Sequence, residues 1–355
     1  LLFCRGRADR LGRSLAGRGE GQRVLHRRKI AGRVFALWCA IVALVATGSA
    51  GAREWDEQDF WNNPPRVYTF TPPGKVPLDQ VQTVVGQTRT IKPEKGDTFL
   101  DLARYYDIGF NEIFDANPGS DEWIPAQVGK PLVIPQEFVL PYGSYSGIVV
   151  NIPEMRLYYY PPTKGGPPTV ITFPVGLGRE DWKTPVGHFS IREKNVNPTW
   201  VIPESIRKER VEDKGFSESL IPGGSPDNPL GKYRMRLTLN LYGIHGTNIP
   251  WGVGMLVSHG CVRLYPEDIE RFFPMVSVGT QGEFVYQTVK VGVRDDRVFV
   301  EVHKDLYGTQ PGPWREALTA LKRQGLISRV DEQKLMQAVS EQSGVPVDVT
   351  RHGGA

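Results

Sequence analysis

The sequence contains few thiol and imidazole side chains. Its 355 residues include only three cysteines and six histidines. Cys4 and Cys39 lie within the first fifty residues, so Cys261 is the one cysteine in the remaining chain. A single cysteine there has no partner for an internal disulfide. The spacing of His245, His259 and Cys261 fits no common zinc pattern. We therefore predict neither a metal ion nor a cofactor.

A strong charge of one sign is also missing. Lys and Arg number 43 against 39 Asp and Glu, which gives a formal net charge of +4. Most of that excess lies in the first fifty residues, and the remainder is close to neutral. Nucleic-acid-binding proteins usually carry a basic patch or stripe, so we predict no nucleic-acid partner. With 40% hydrophobic and 23% charged residues, the chain is typical of a globular protein with two or three modest domains.

A hydrophobic run long enough to span a membrane is missing as well. The apolar segment 34–46 is shorter than the ~20 residues that a membrane-spanning helix needs. It follows a basic run at 26–29 and precedes small residues that end in Ala50-Gly51-Ala52. A basic region, a short apolar region and an A-x-A site together indicate a secretory signal. We predict a basic N-terminus and signal peptide over residues 1–52, cleaved after Ala52. An uncleaved anchor is the alternative.

The largest segment, residues 147–288, has the pattern of a mainly β domain. Its strand-like runs are short, β-branched or aromatic, and separated by Gly and Pro. They lie at 147–152, 156–160, 169–173, 188–191 and 282–286. Helical periodicity is weak, and the clearest helix begins at Pro266, a residue favoured at the first helical position. This pattern favours a β-sandwich or barrel-like domain over a parallel α/β sheet.

The rest of the chain forms smaller segments around this domain. Trp, Asn and Pro are frequent before residue 87, and the last sixty residues include two stretches with apolar residues at helical spacing. The helical stretches, 312–325 and 330–343, are interpreted as packing faces, and 298–302 as one more strand. The predicted segments are an extended lead-in (53–86), a compact unit (87–136), a linker (137–146) and a C-terminal extension (289–355).

The compact unit has a βααβ pattern. A Gly96-Asp97-Thr98 turn precedes the first predicted helix, and either Asp97 or Thr98 can cap it. Asn117-Pro118 follows the second helix, and a closing strand ends at Pro135. This segment resembles a LysM domain, and the resemblance implies binding to N-acetylglucosamine polymers, here the glycan strands of peptidoglycan. The alternative is a small structural domain that binds nothing strongly.

The chemistry of the chain is concentrated at Ser258-His259-Gly260-Cys261-Val262-Arg263, with His245 sixteen positions before the cysteine. A thiol needs a base to become a thiolate at neutral pH, and cysteine–histidine pairs of this kind perform acyl transfer. Gly260 lets the backbone approach a reacting carbonyl, and the N–H groups of Gly260 and Cys261 are candidate oxyanion donors. An inert buried cysteine is the alternative, but it does not call for flanking His and Gly.

Residues 147–288 resemble a YkuD-type L,D-transpeptidase. That family carries a histidine, a spacer of a dozen or more residues, and then Ser/Thr-His-Gly-Cys, which is matched by His245 and 258–261. The flanks 149–159, 173–189 and 261–268 match as well. The resemblance is to the Gram-negative branch with a LysM unit ahead of the catalytic domain.

The resemblance implies roles for individual residues. Cys261 is the nucleophile, and His245 is the general base and acid. The carbonyl of Gly246 orients His245 in place of a third side chain. His259 and Ser258 shape the oxyanion pocket and position the donor. For His259 the alternative is that it only holds the turn.

Substrate contacts are expected from residues around this motif. Arg263 either contacts substrate or supports the loop. The long insertion 195–230 precedes the catalytic strand and is interpreted as a lid, with Trp200 and Trp251 lining the acyl site.

The reaction implied by the resemblance is acyl transfer in the periplasm. The family attacks the bond between meso-diaminopimelate and D-Ala of a tetrapeptide stem, forms a thioester and releases D-Ala. An acceptor amine then resolves the thioester, either from a second stem, as a 3–3 cross-link, or from the C-terminal lysine of an outer-membrane lipoprotein. Two alternatives remain open: hydrolysis by an L,D-carboxypeptidase, and a non-catalytic wall-binding protein.

Overall fold

A computed structural model describes residues 53–74, 76–120, 128–163, 165–214 and 218–351, with only the backbone described for 210–214. The predicted signal peptide, residues 1–52, lies outside the described residues. Residues 52–355 form one unit. Within the described part, no helix is both long and apolar enough to cross a membrane.

Seven helices and twenty strands are numbered here along the described chain. The helices are α1 (Glu57–Trp61), α2 (Phe99–Tyr105), α3 (Phe110–Asp115), α4 (Glu204–Lys214), α5 (Pro266–Met275), α6 (Pro313–Arg323) and α7 (Glu332–Glu341). The first ten strands are β1 (Val67–Thr69), β2 (Val84–Gly86), β3 (Arg89–Ile91), β4 (Leu132–Ile134), β5 (Glu137–Val139), β6 (Gly147–Asn151), β7 (Arg156–Tyr160), β8 (Thr169–Pro174), β9 (Leu177–Gly178) and β10 (Gly187–Val196). The others are β11 (Trp200–Val201), β12 (Leu220–Ile221), β13 (Tyr233–Leu237), β14 (Gly243–His245), β15 (Leu256–Ser258), β16 (Val262–Arg263), β17 (Gln281–Val285), β18 (Val289–Arg294), β19 (Arg297–Val302) and β20 (Val347–Asp348).

The centre of the molecule is a nine-stranded sheet with the order β1-β8-β7-β6-β17-β10-β13-β14-β16. Its neighbours are antiparallel except for two parallel pairs, β6 with β17 and β14 with β16. The prediction of a mainly β domain is confirmed, and each of the five expected strand runs is a strand. The order has two ends, β1 and β16, so the sheet does not close on itself.

The main hydrophobic core lies between this sheet and helix α5. Phe272 of α5 packs against Phe173 and Tyr159, with ring centroids 5.2 and 5.5 Å apart. Pro266 begins the helix as predicted. Both faces of the sheet are covered, because all five residues of β7 are buried. Strands β14 and β16, at one edge of the sheet, are therefore supported by a well-packed core.

The segment 53–86 differs from the extended lead-in expected from its composition. Asp56 and Asp59 form a capping box that begins the short helix α1. Strand β1 then adds to the main sheet beside β8, and β2 pairs with β5, which lies inside the expected linker. The frequent Trp, Asn and Pro residues predicted an extended segment. The structure instead contains a short helix and two short strands, which pairing with distant strands stabilises.

The small unit has the expected order β3-α2-α3-β4, and residues 121–127 of its last loop lie outside the described residues. Of the two possible caps, Thr98 caps α2 by accepting a hydrogen bond from the Asp101 N–H at 3.1 Å. Asn117 of the Asn-Pro pair ties α3 to β4: its amide donates to the carbonyls of Ile113 and Val133 at 2.7 and 2.8 Å.

Buried ion pairs join the small unit to the main sheet. The Arg156 guanidinium of β7 lies 2.7 Å from a carboxylate oxygen of Glu112 on α3, and both side chains are buried. Arg104 of α2 pairs with Glu267 of α5 at 2.8 Å. Buried ion pairs require fixed geometry because each charge has lost its water. The small unit therefore has a defined orientation on the catalytic sheet.

The C-terminal extension is joined to the main sheet in the same way. Helices α6 and α7 pack on the β18–β19–β20 sheet. The Lys290 ammonium of β18 is completely buried, 2.7 Å from Glu154 after β6 and 2.7 Å from Glu301 of β19. His303 lies 2.7 Å from Glu301 and is buried. One ammonium thus neutralises carboxylates from both parts of the molecule.

Replacing Lys290 with alanine is expected to lower the free energy of unfolding by about 3–5 kcal/mol, because two buried carboxylates lose their cation. Denaturant unfolding measures the loss. The matched control is Lys304→Ala, whose ammonium is half-exposed and pairs with Asp115 at 2.5 Å; it should cost at most about 1 kcal/mol. Equal losses in the two variants would contradict the assignment.

Candidate active site

A cavity of about 450 Å³ opens beside Cys261 and has the main sheet as its floor. Strands β10, β13, β14 and β16 are neighbours there, and their register aligns Asn195, Arg234, His245 and Arg263. Residues directly opposite each other on paired strands share a face of the sheet. All four aligned residues line the cavity. The sequence pattern points to His245 and Arg263, but not to Arg234 or Asn195.

The imidazole of His245 is buried and held in one tautomer. Its Nδ1 lies 2.6 Å from the carbonyl oxygen of Gly246. A carbonyl oxygen only accepts hydrogen bonds, so Nδ1 carries the hydrogen and Nε2 keeps its lone pair. Burial and the nearby guanidinium of Arg263 lower the pKa of His245 to about 3. The ring is therefore neutral at physiological pH and able to accept a proton at Nε2.

The thiol of Cys261 lies at the floor of the cavity, one residue before β16. Its Sγ donates to the carbonyl of Leu241 at 3.5 Å. Burial raises the pKa of the thiol above its ordinary value, while the positive charges of Arg234 and Arg263 oppose that rise without cancelling it. The resting site thus holds a neutral thiol close to a neutral imidazole.

The turn that presents the thiol is closed by Ser258. The Ser258 hydroxyl donates to the Cys261 carbonyl at 2.7 Å and accepts from the Gly260 N–H at 3.1 Å. The Gly260 N–H is therefore occupied, which corrects its expected use as an oxyanion donor. Gly260 itself has φ +97°, and a Cβ there would lie 2.4 Å from Cε1 of Tyr242. Only glycine fits this turn.

Strand β9 supports the same turn from its other side. Gly176, just before β9, exchanges two backbone hydrogen bonds with Arg263, both 2.9 Å. The Thr184 hydroxyl donates to the Gly260 carbonyl at 3.0 Å and accepts from the Gly178 N–H at 3.1 Å. The sequence matched 173–189 only as a flank. The structure shows that this flank holds the backbone of the cysteine turn.

His259 lines the cavity together with Cys261 and contacts helix α4. Its Nε2 lies 2.7 Å from a carboxylate oxygen of Glu209, whose other oxygen is 2.7 Å from the Arg179 guanidinium. The Trp182 and His259 rings pack in a T-shaped arrangement, with ring centroids 5.1 Å apart. The hydrogen bonds from His259 and Arg179 hold the pKa of Glu209 below its ordinary value. Glu209 was not foreseeable, because a charged helix usually indicates a solvated face.

The expected lid segment folds over one side of the cavity. It contains β11, α4 and β12, and its Trp200 and Ile206 line the cavity as the interpretation required for Trp200. Trp251 does not line the cavity, which corrects the expectation for this residue. It lies on the 3-10 turn Pro250–Gly252; Gly252 and the following Val253 are buried, whereas the Trp251 side chain points outward and is 58% exposed.

Comparison with known proteins agrees with this arrangement. The family model for YkuD, the L,D-transpeptidase catalytic domain, matches residues 146–291. The probable L,D-transpeptidase YbiS of Escherichia coli K12 is 37% identical over 274 residues, covering 74% of this chain and 88% of that protein. The probable L,D-transpeptidase YcfS of the same strain is 35% identical over 270 residues, covering 72% and 82%. The chain belongs to the YkuD-type L,D-transpeptidase family.

A solved relative gives a more distant likeness. The catalytic domain of the E. faecium L,D-transpeptidase, determined by NMR, is 21% identical with a TM-score of 0.30 and covers 41% of this chain and all of that domain. The enzyme described here is an L,D-transpeptidase on the strength of its sequence relatives.

The resting L,D-transpeptidase is expected to react with iodoacetamide at Cys261 with a pH midpoint above the ordinary thiol value of 9.0. Only the thiolate is alkylated, and burial disfavours the thiolate here. Peptide mass spectrometry at a series of pH values gives the rate at Cys261 alone. A reactivity plateau below pH 7 would instead indicate a preformed thiolate–imidazolium pair.

Gly260→Ala is expected to lower transpeptidase activity by about 100-fold, because the new Cβ would displace the cysteine turn from Tyr242, and a shift of about 1 Å is enough for that loss. Gly279→Ala is the matched control. Gly279 has φ +90° with no atom within 4 Å of the added Cβ. It should lose about 1–2 kcal/mol of stability from backbone strain alone and keep its activity. Full activity in Gly260→Ala would show that the turn adapts.

Proposed function

We propose that this enzyme is a periplasmic peptidoglycan L,D-transpeptidase whose Cys261 forms a thioester with the meso-diaminopimelate carbonyl of a tetrapeptide stem. The observation that carries the proposal is the buried, neutral His245. Its Nε2 keeps its lone pair, and the ring lines the same cavity as the Cys261 thiol, a cavity large enough for a peptide. A base with this orientation can take the thiol proton as the sulfur attacks.

The first half-reaction balances within these groups. Sγ of Cys261 bonds to the carbonyl carbon, and the thiol proton moves to Nε2 of His245. The negative charge on the carbonyl oxygen is met by backbone donors, for which the Cys261 N–H remains after Gly260 is used. His245 then gives its proton to the departing nitrogen, the C–N bond breaks, and D-Ala leaves.

The second half-reaction repeats these steps with an incoming amine. The amine attacks the thioester, His245 takes a proton from it, and the C–S bond breaks with return of the proton to sulfur. An amine on the diaminopimelate of a second stem gives a 3–3 cross-link. A lysine at the C-terminus of an outer-membrane lipoprotein gives protein attachment, and water gives carboxypeptidase activity.

The other segments are assigned around this domain. The catalytic domain is residues 147–288, preceded by a LysM unit at 87–136 and followed by the extension 289–355. The LysM unit is supported by its β3-α2-α3-β4 order and by the Asn117 tie between α3 and β4. Its buried ion pairs with the catalytic domain fix the distance from bound glycan to the thiol. Residues 1–52 direct export to the periplasm.

Incubation with a carbapenem is expected to add one covalent adduct, seen as an increase in intact mass. Cys261→Ala should give no adduct, because the nucleophile is gone. His245→Gln should form it about 100- to 10,000-fold more slowly, the range typical of a lost general base. An adduct that survives in Cys261→Ala would disprove the nucleophile.

The acceptor is read from muropeptides after incubation with peptidoglycan. Diaminopimelate-linked dimers indicate cross-linking, lysine-linked peptides indicate lipoprotein attachment, and tripeptide stems without dimers indicate hydrolysis. Unchanged muropeptides, together with no carbapenem adduct on the wild-type protein, would support a non-catalytic wall-binding protein.

A further inference from the structure

Two arginines flank the proposed base in the floor of the cavity. The strand register places Arg234 of β13 directly opposite His245, and Arg263 of β16 directly opposite on the other side. Since opposed residues share a face, the imidazole lies between two guanidinium groups. Both arginines line the cavity together with Cys261. Nothing in the motif around Cys261 points to Arg234.

These two guanidinium groups lack the partners that other arginines have. Ion pairs with carboxylates are formed by Arg104, Arg156, Arg179 and Arg236, at 2.8, 2.7, 2.7 and 3.1 Å. Among the described residues, neither Arg234 nor Arg263 forms a salt bridge, and the Nε atom of each is buried without a hydrogen-bond partner. Burial lowers the pKa of both side chains. Such unpaired cations are costly unless an anion joins them.

The cavity itself does not supply that anion. Glu193 is the one carboxylate among the described residues that line it. Its carboxylate pairs with Arg236 at 3.1 Å, two positions along β13 from Arg234. Glu193, the nearby carboxylate that could neutralise Arg234 and Arg263, is therefore already paired. Because burial keeps the Cys261 thiol neutral in the resting site, the anion that would pair with the two arginines comes from the ligand.

We propose that Arg234 and Arg263 together bind a carboxylate of the donor stem, and that this is the terminal carboxylate of the D-residue that leaves. This inference rests on the proposed function. A carboxylate on the leaving residue is separated from the scissile carbonyl carbon by only two backbone atoms, about 3–4 Å in space. When that carbonyl carbon lies at the Cys261 sulfur, the carboxylate lies next to Arg234 and Arg263. Guanidinium groups match carboxylates in a two-pronged geometry.

Arg234 and Arg263, called the clamp below, select donors in which the leaving residue is the last residue of the stem. A stem extended by one more residue has a neutral amide where the carboxylate should be. It would leave both guanidinium groups desolvated and unpaired, which is the arrangement that rejects an analogue most strongly. A carboxylate on the D-centre of diaminopimelate offers the same chemistry from several bonds further away, and the experiment separates the two sources.

The test compares three disaccharide-tetrapeptide donors: one ending in D-Ala, one ending in D-alaninamide, and one with the D-centre carboxylate amidated. Release of D-Ala or D-alaninamide gives kcat/KM. Wild-type enzyme should prefer the D-Ala donor over the D-alaninamide donor by about 10- to 100-fold, the range for a charged hydrogen-bond pair. Arg234→Met should lower kcat/KM for the D-Ala donor by that factor and leave the D-alaninamide donor unchanged.

Two further variants separate recognition from folding. Arg234→Lys keeps the charge without the planar fork and should retain part of the preference. Lys232→Met, just before β13, removes an exposed cation that pairs with Glu270 at 3.0 Å and does not line the cavity, so this variant should keep the preference between donors. If Arg234→Met lowers kcat/KM for both donors equally, the clamp is overturned. If kcat/KM of the wild-type enzyme falls for the donor with the amidated D-centre but not for the D-alaninamide donor, the two arginines do bind a carboxylate. That carboxylate is then the one on the diaminopimelate side chain and not the one on the leaving residue.

Failure of the proposed function gives a different result. In that case wild-type enzyme releases nothing from any donor. Calorimetric binding of the D-Ala and D-alaninamide donors to Cys261→Ala, with and without Arg234→Met, then tests the clamp independently of turnover. Equal binding of both donors to Cys261→Ala would overturn it.

Discussion

The parallel pairing of β14 with β16 is the contact on which the rest of the site depends. It aligns only two residue pairs, Ile244 with Val262 and His245 with Arg263, and is extended by the hydrogen bond from Leu264 N–H to the His245 carbonyl at 2.9 Å. The loop 246–261 leaves at the end of one strand and returns at the start of the other. Cys261 and His245, the proposed nucleophile and base, therefore take their positions from the same two strands, which is more exact than two flexible loops would allow.

The C-terminal extension takes part in this arrangement although it lies outside the catalytic sheet. The Tyr307 hydroxyl donates to the Gly178 carbonyl at 2.8 Å and accepts from the Thr184 N–H at 3.2 Å. Thr184 in turn holds the Gly260 carbonyl. Since Lys290 fastens the extension to Glu154 of the catalytic domain, loosening of the extension would reach the cysteine turn through Tyr307. The sequence presents this extension as an appendage, but the contacts make it a support.

The predictable part of the molecule is the part whose signal is local. The strands of the main sheet, the helix at Pro266 and the pair of Cys261 with His245 follow from alternation, a proline and a motif. Arg234 and Glu209 escape such reasoning because their roles come from strand register and from a helix folded across the cavity. Trp251 shows the converse error. An aromatic residue near the motif in sequence is turned outward by a single turn of helix, and no local pattern records that direction.

Burying the ionisable groups of the resting site costs electrostatic free energy, and this cost affects the stability of the folded protein. The pKa of His245 is about 3 in the folded enzyme against an ordinary 6.5. Between these values the unfolded chain binds the proton and the folded one does not, so stability falls as the pH drops from 6.5 toward 3 and is unaffected above that window. Arg234 and Arg263 add a second cost at every pH below their own pKa values, because they flank His245 and the Nε atom of each is buried without a hydrogen-bond partner. A fold can keep such a site only if its platform is rigid. The buried pairs at Arg156 and Lys290 supply that rigidity away from the thiol. Under the proposed clamp, this electrostatic cost remains at the site until the donor carboxylate binds between Arg234 and Arg263.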